Sequence, residues 1–312
     1  MIIDEWNFGT VRRQSLGKGQ ILAVSSRSRV LPEPSVQPTT SRPFRLGPGR
    51  DNMARGWRQT WRAAVNLLLP PGCAFCDADL EPRDGKPLFC ETCVKRLAPD
   101  TWQICLGCGT LADEPSAATQ SADAEGLLPP ASCLRCWKQP YWFDGVVPLG
   151  HYRDDLREAV LRMKRPIGDH LAAAMGELLA RRRGAQLAAF ETDVVVSIPM
   201  HWWRRMLRGT NSPEILASCV SRHLGVPFEP KMLNRRNNTR PQEGLSATKR
   251  FENVRGAFRL GRGYDIKGAR VLLIDDIMTT GATCSEASKV LKKAGAEKVF
   301  VAVAARTAFG NG

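Results

Sequence analysis

RVLLIDDIMTTGAT, residues Arg270 to Thr283, carries three physical jobs in one run. Val271-Leu272-Leu273-Ile274 is continuous, branched and apolar, the pattern of a strand buried on both faces of a parallel sheet. Asp275-Asp276 follows where that strand is expected to end, which sets two carboxylates at the carboxyl edge of the sheet. Open α/β sheets bind their ligands at that edge. Thr279-Thr280-Gly281-Ala282-Thr283 then enters a helix with hydroxyls, a glycine and helix-start amides, a cradle suited to phosphate. Alone, an Asp pair or a Thr-Thr-Gly would do no more than end a strand and cap a helix. Carboxylates that accept ribose hydroxyls beside a phosphate cradle describe a pocket for a sugar phosphate.

The surrounding chain supplies the sheet that such a pocket needs. Tyr141 to Val147 and Leu149 to Tyr152 read as strand pieces, and Asp154 to Lys164 as a helix with Leu156, Val160 and Met163 on one face. Gly168 to Arg183 is a second, alanine-rich helix. Asp193 to Ile198 is another buried strand, cut at Pro199. Ser212-Pro213-Glu214 opens a helix with Ser as cap and Pro at the first position, and Gly225 closes it. A helix through Lys293 and a strand from Lys298 to Val303 complete the series. Alternating β and α units predict an α/β fold, a parallel sheet flanked by helices.

Two further segments point toward the same edge. Pro199-Met200-His201 leads into Arg204, Arg205 and Arg208, and forked guanidinium groups match the oxygens of a pyrophosphate. Residues 235–258 form a long, polar, basic stretch, and a loop of that length in a compact domain is usually functional or disordered. Arg236, Thr239, Gln242, Lys249 and Arg250 are its candidate ligand contacts. Residues 201–256 hold 11 Lys+Arg against 4 Asp+Glu, a net of +7 suited to a polyanion. The four His show no metal or triad spacing, and Cys219 and Cys284 read as buried thiols.

Eight of the ten cysteines fall in four Cys-x-x-Cys pairs: Cys73/Cys76, Cys90/Cys93, Cys105/Cys108 and Cys133/Cys136. A two-residue gap lets both thiolates of a knuckle face one metal, and two knuckles complete a tetrahedral site. Four pairs suffice for two zinc ions. The neighbouring pairing joins Cys73/Cys76 to Cys90/Cys93 and Cys105/Cys108 to Cys133/Cys136, and an interleaved pairing also satisfies the spacing. Nothing in the chain suggests an oxidising compartment, so zinc is expected over disulfides. Closed four-cysteine sites are structural. The polar spacers cannot bury a core, so metal is expected to hold this region together, and its removal to spare residues 141–312.

The 45 Lys+Arg and 31 Asp+Glu give a net charge of +14, which predicts acidic ligands or partners. Residues 1–62 carry 11 Lys+Arg and 4 Asp+Glu, half of that excess. Residues 1–52 mix Gly, Pro, Ser and Arg without periodicity, the composition of a disordered extension, and Met53 resembles a natural start. Residues 53–70 place Trp57, Trp61, Val65 and Leu68 at helical spacing, an amphipathic helix ended by Pro70-Pro71. No apolar run reaches the ~20 residues of a membrane span and no secretory signal is legible, so a cytoplasmic location is expected. The domains read as an extension over 1–52, a helix over 53–70, a double zinc ribbon over 71–140 and the α/β domain over 141–312.

In order along the chain stand the zinc knuckles, the Tyr152 to Lys164 helix, the Arg loop, a long motif and the Asp-Asp loop. The long motif reads Arg236-x-x-Thr239-x-x-Gln242-x-x-Leu245-x4-Arg250-x-x-Asn253-Val254-x-x-Ala257-Phe258. The Asp-Asp loop resembles the 5-phosphoribosyl-1-pyrophosphate (PRPP) loop of type I phosphoribosyltransferases. The ordered set resembles the ComF family of competence-related proteins, phosphoribosyltransferase-like proteins with an N-terminal double zinc ribbon. The resemblance covers about residues 55–308. An Arg-Gly-Phe-Asn-Gln segment of relatives is here Arg208-Gly209-Thr210-Asn211-Ser212, and Arg165 replaces an aromatic residue. The resemblance implies PRPP chemistry: Mg²⁺ and basic groups on the pyrophosphate, Asp275 and Asp276 on the ribose hydroxyls, and Thr279 to Thr283 on the 5-phosphate. Two functions follow. One is transfer of phosphoribose to an acceptor that no motif specifies. The other is a non-catalytic module that binds nucleic acid or competence-machinery proteins and uses the PRPP site as a nucleotide sensor.

Overall fold

A computed structural model of the chain describes residues 22–23, 72–80, 88–99, 103–112, 140–200, 211–236 and 246–307. The expected helix over 53–70, Cys133, Cys136, His201, Arg204, Arg205, Arg208, Thr239 and Gln242 lie outside the described residues.

Among the described residues the principal elements are α1 (Glu91–Leu97), β1 (Gly145–His151), α2 (Asp154–Arg162), α3 (Asp169–Arg182), β2 (Val194–Ser197), α4 (Ser212–Leu224), β3 (Leu233–Arg235), α5 (Ala247–Val254), β4 (Phe258–Leu260), β5 (Arg270–Met278), α6 (Ala282–Lys293) and β6 (Lys298–Arg306). Four strands form one parallel sheet in the order β1-β6-β5-β2. The central strands β5 and β6 are the most continuously apolar, because both of their faces are covered. Side chains alternate between two cores, as the strand period of two dictates. Leu272, Ile274 and Ala302 enter one core with α2, α3 and α4. Val271, Leu273, Val299, Val301 and Val303 enter the other with α6 and the β3–β4 pair.

Several boundaries differ from the sequence reading for identifiable reasons. The two strand pieces around Pro148 are one strand, β1. It lies at the sheet edge, where a residue without an N–H is tolerated. Ser212 is inside α4 rather than capping it, and its hydroxyl donates to Met163 O at 3.0 Å. Gly225 ends that helix in the left-handed region (φ 68°), as the sequence predicts. The polar stretch 235–258 is not a single loop. Ser246 caps α5 by accepting from Lys249 N, and β3 and β4 pair antiparallel at its base.

The ribbon does not stand apart. Phe75, Leu80, Phe89, Cys93 and Leu97 belong to the same core as Val147, Leu149 and Leu156. Arg162 Nη1 donates to Phe75 O at 2.6 Å, Arg182 Nη2 to Ala98 O at 3.1 Å, and Arg96 pairs with Asp155. The expectation that metal alone holds this region is corrected by that packing: its aromatic and aliphatic residues are few, but they are buried against α2 and α3.

Candidate functional site

β2 and β5 part company at the residues that matter. Ile198 N donates to Ile274 O at 2.8 Å, and then Pro199, which has no N–H, leads the chain away. β2 pairs with β5 only through Ile274, whereas β6 stays paired to Met278. Asp275 and Asp276 therefore sit inside β5, not at its end, on a segment bordered by a strand on one side only. The strand runs past the end that its apolar pattern predicts, because carboxylates are poor strand formers and the pairing that carries β5 onward to Met278 comes from distant β6.

Both carboxylates are buried. Asp276 N donates to Asp275 Oδ1 at 2.9 Å, and Lys164 Nζ reaches Asp276 Oδ2 at 2.8 Å from beyond the end of α2. Burial pushes the Asp275 carboxyl up to about 8, with the Asp276 charge adding to the rise. The Asp276 amide and the positive charges of Lys164 and Arg235 oppose it. Cys284 beside the pair is buried, and burial and the Asp275 charge raise its thiol well above the ordinary range, away from the reactive thiolate form.

The phosphate-type turn follows directly. Gly281 is the N-cap of α6 with φ 82°, a conformation that L side chains rarely adopt. A Cβ there would also come within 2.8 Å of Met278 and 2.9 Å of Tyr141. Tyr141 stacks on Phe143 at 4.7 Å and donates its hydroxyl to Thr280 O at 3.1 Å. The Thr280 hydroxyl accepts from Ala282 N at 3.4 Å. A cleft is lined by Asp275, Ile277, Met278, Thr279, Gly281, Ala282, Thr283 and Cys284. Beneath it, the buried Arg306 donates to Met278 O at 2.8 Å and to Thr279 O.

Sequence reasoning named the Asp pair and the turn, and the structure brings them together. Pro199 and Met200 lie half-buried just beyond the end of β2. Arg236 is exposed, with its amide on Ala257 O, and Arg250 is on α5. Lys164, Arg235, Tyr141 and Arg306 were not named as site residues. A lysine after a helix, an arginine in a short strand and an arginine ending a buried strand carry no local signature. Only the fold brings them to β5.

One four-cysteine cluster is assembled among the described residues. The sulfurs of Cys73, Cys76, Cys90 and Cys93 all lie within 4.8 Å of one another, with Cys76 Sγ 3.7 Å from Cys90 Sγ. Ligands ~2.3 Å from a tetrahedral zinc sit about 3.8 Å apart, whereas a disulfide needs ~2.0 Å. Burial acts to raise the Cys73 thiol, yet amide donors from Cys76, Cys90 and Phe75 outweigh it and leave it at about 7, while burial and the neighbouring thiols push Cys93 up. A thiolate held by amides is the form that binds metal. Cys90 doubles as the N-cap of α1 by accepting from Cys93 N. This cluster fits zinc. Of the second set, Cys105 and Cys108 are buried in a knuckle against the sheet.

A parallel sheet flanked by helices, with an Asp pair in the carboxyl half of a central strand and a glycine turn after it, defines a type I phosphoribosyltransferase fold, here joined to a four-cysteine ribbon. The phosphoribosyl transferase domain family matches residues 214–309. The chain is 30% identical over 228 residues to DNA utilization protein YhgH of Salmonella typhimurium, covering 71% of this chain and 98% of that protein. It is 33% identical over 175 residues to competence protein F of Haemophilus influenzae, covering 54% and 76% respectively. Glutamine PRPP amidotransferase from B. subtilis, solved with ADP and GMP, aligns at a TM-score of 0.33 and 25% identity over 48% of this chain and 30% of that one. The chain belongs to the ComF family.

Proposed function

We propose that the protein binds PRPP with Mg²⁺ and transfers its phosphoribose to an acceptor, in the cytoplasm and in the service of competence or DNA utilisation, as the names of its relatives suggest. The observation that carries this reading is the Asp275-Asp276 pair, buried on an open segment of β5 and followed at once by the Gly281 turn. Asp275 and Asp276 hold the ribose 2- and 3-hydroxyls and favour the positive charge that develops at C1. Thr279, Thr280, Gly281, Ala282 and Thr283 hold the 5-phosphate. Pro199, Met200, His201, Arg204, Arg205 and Arg208 face the pyrophosphate, with Arg236, Thr239, Gln242 and Arg250 completing the binding. Mg²⁺, a hard cation that takes carboxylate and phosphate oxygens, would if bound with PRPP supply charge neutralisation at the pyrophosphate, beside the basic side chains that face it. The chain's own work is positioning and electrostatic stabilisation. Two zinc ions serve structure: one on the Cys73, Cys76, Cys90 and Cys93 set, and one on Cys105, Cys108, Cys133 and Cys136.

The second reading, a non-catalytic module that binds DNA or competence-machinery proteins and senses PRPP, is favoured by the net +7 of residues 201–256. Pyrophosphate release from PRPP and Mg²⁺ with candidate bases or amines separates the two. Turnover with one acceptor supports the transferase. Tight PRPP binding without release under any acceptor moves the sensor ahead.

A further inference from the structure

Arg306 is the last residue of β6 and one of the largest fully buried side chains of the described chain. Its guanidinium is shared between two places far apart in sequence. Nη1 donates to Met278 O at 2.8 Å and to Thr279 O, the carbonyls that immediately precede the glycine turn. Nε donates to Cys108 O at 3.1 Å, in the knuckle that runs from Cys105 to Gly109.

That knuckle is itself seated on the sheet. Val146 N donates to Leu106 O at 2.6 Å, so the knuckle's backbone bonds to edge strand β1. Gly109 has φ 70°, and a Cβ there would lie 2.7 Å from Val146 Cγ1 and 3.7 Å from Arg306 Cδ. Glycine is needed both for the turn and for the close approach to the sheet. Inside the knuckle, Gly109 N donates to Cys105 O at 2.7 Å and Cys105 N to Thr110 O at 2.9 Å.

We propose that Arg306 is a positioning residue that makes the geometry of the phosphate turn depend on the seating of the Cys105–Gly109 knuckle, so that ligand at the turn and order in the knuckle are coupled. The physical basis is that one rigid, planar fork fixes carbonyls on both sides. A buried guanidinium cannot give up an acceptor without a desolvation cost. Aiming the Met278 and Thr279 carbonyls inward turns the following amides toward the cleft. Coupling of this kind is reciprocal: whatever the knuckle does for ligand affinity, ligand does for the knuckle.

The inference rests on the PRPP reading, and the test uses the full chain with PRPP and Mg²⁺. Titration of the wild type comes first: absence of binding overturns the PRPP reading and this inference with it. Given binding, hydrogen exchange is followed at Gly109 and Val146. PRPP is expected to slow it by about 5-fold or more, the lower range of ordinary allosteric coupling. Arg306→Lys, which keeps the charge but loses the fork, is expected to weaken PRPP by a similar factor and to abolish that protection. Gly109→Ala strains the knuckle where it meets Val146, its Cβ reaching Arg306 only in ordinary van der Waals contact at Cδ and leaving the guanidinium in place, and is expected to weaken PRPP as well. If Arg306→Lys does not fold, the wild-type exchange and Gly109→Ala decide. Unchanged knuckle exchange on PRPP binding, or wild-type affinity in Gly109→Ala, overturns the coupling and leaves the PRPP reading standing.

Discussion

Burial pushes the Asp275 carboxyl up from the ordinary carboxylate range, and two consequences can be measured. Its folded value of about 8 lies above the ordinary 3.8, so its contribution to stability is complete below about pH 4 and is lost as pH rises toward 8. Asp275→Asn removes the titration. The variant should lose the part of the pH dependence that falls in that window, up to about 1.4 kcal/mol per pH unit for one proton. Denaturant unfolding at a series of pH values checks this; a wild-type-like slope in the variant would show that Asp275 ionises freely. A cation and hydroxyl donors favour the charged carboxylate, so PRPP with Mg²⁺ should also release a proton at pH 7. Calorimetry in buffers of different ionisation enthalpy reads that proton directly. At the neighbouring turn, Gly281→Ala meets both a φ of 82° and the crowding of Tyr141 and Met278. It should cost about 1–3 kcal/mol, measured by chemical denaturation, and weaken PRPP binding more than Tm alone suggests.

At the scale of elements, the ribbon and the sheet share one core, which sets how the protein comes apart. Leu97, at the end of α1, is fully buried among residues of the α/β domain. Leu97→Ala should cost ~2–5 kcal/mol and lower the stability of the whole described body, not of the ribbon alone. Chelation of metal from the Cys73 cluster should likewise lower a single cooperative transition. Two separated transitions, with the α/β domain melting as before, would contradict the shared core. The elements also show what the sequence makes legible. β5, β6 and α6 are readable because apolar periodicity and the Thr-Thr-Gly turn are local signals. The continuation of β5 through Asp275 to Met278 is not, because partner β6 supplies the pairing. α5 carries a weak signal because ATKRFENV has only Phe251 and Val254 to bury, and the Gly256 N to Glu286 Oε1 bond at 2.9 Å just after it ties its end to α6. Likewise Lys164 reaches Asp276 across a long separation in sequence, a contact visible only once α2 is packed on the sheet.

For the whole molecule the question is what its +14 charge attracts. Deleting residues 1–52 should leave PRPP affinity unchanged and remove much of the affinity for duplex DNA, because a cationic segment neutralises backbone phosphates without any built pocket. DNA affinity should fall with salt with a slope of ~0.9 per phosphate neutralised; undiminished, salt-sensitive binding by the shortened chain would assign DNA to residues 53–312. On the proposed function, the Asp pair and the turn after it bind PRPP. The most direct test is the melting temperature of the full chain with Mg²⁺ as PRPP is raised, compared with the Asp275→Asn, Asp276→Asn double variant. The wild type should gain about 2.7 kcal/mol when PRPP reaches a hundredfold excess over Kd, and the double variant should gain nothing. Equal stabilisation of both proteins, or none of the wild type, would contradict the account.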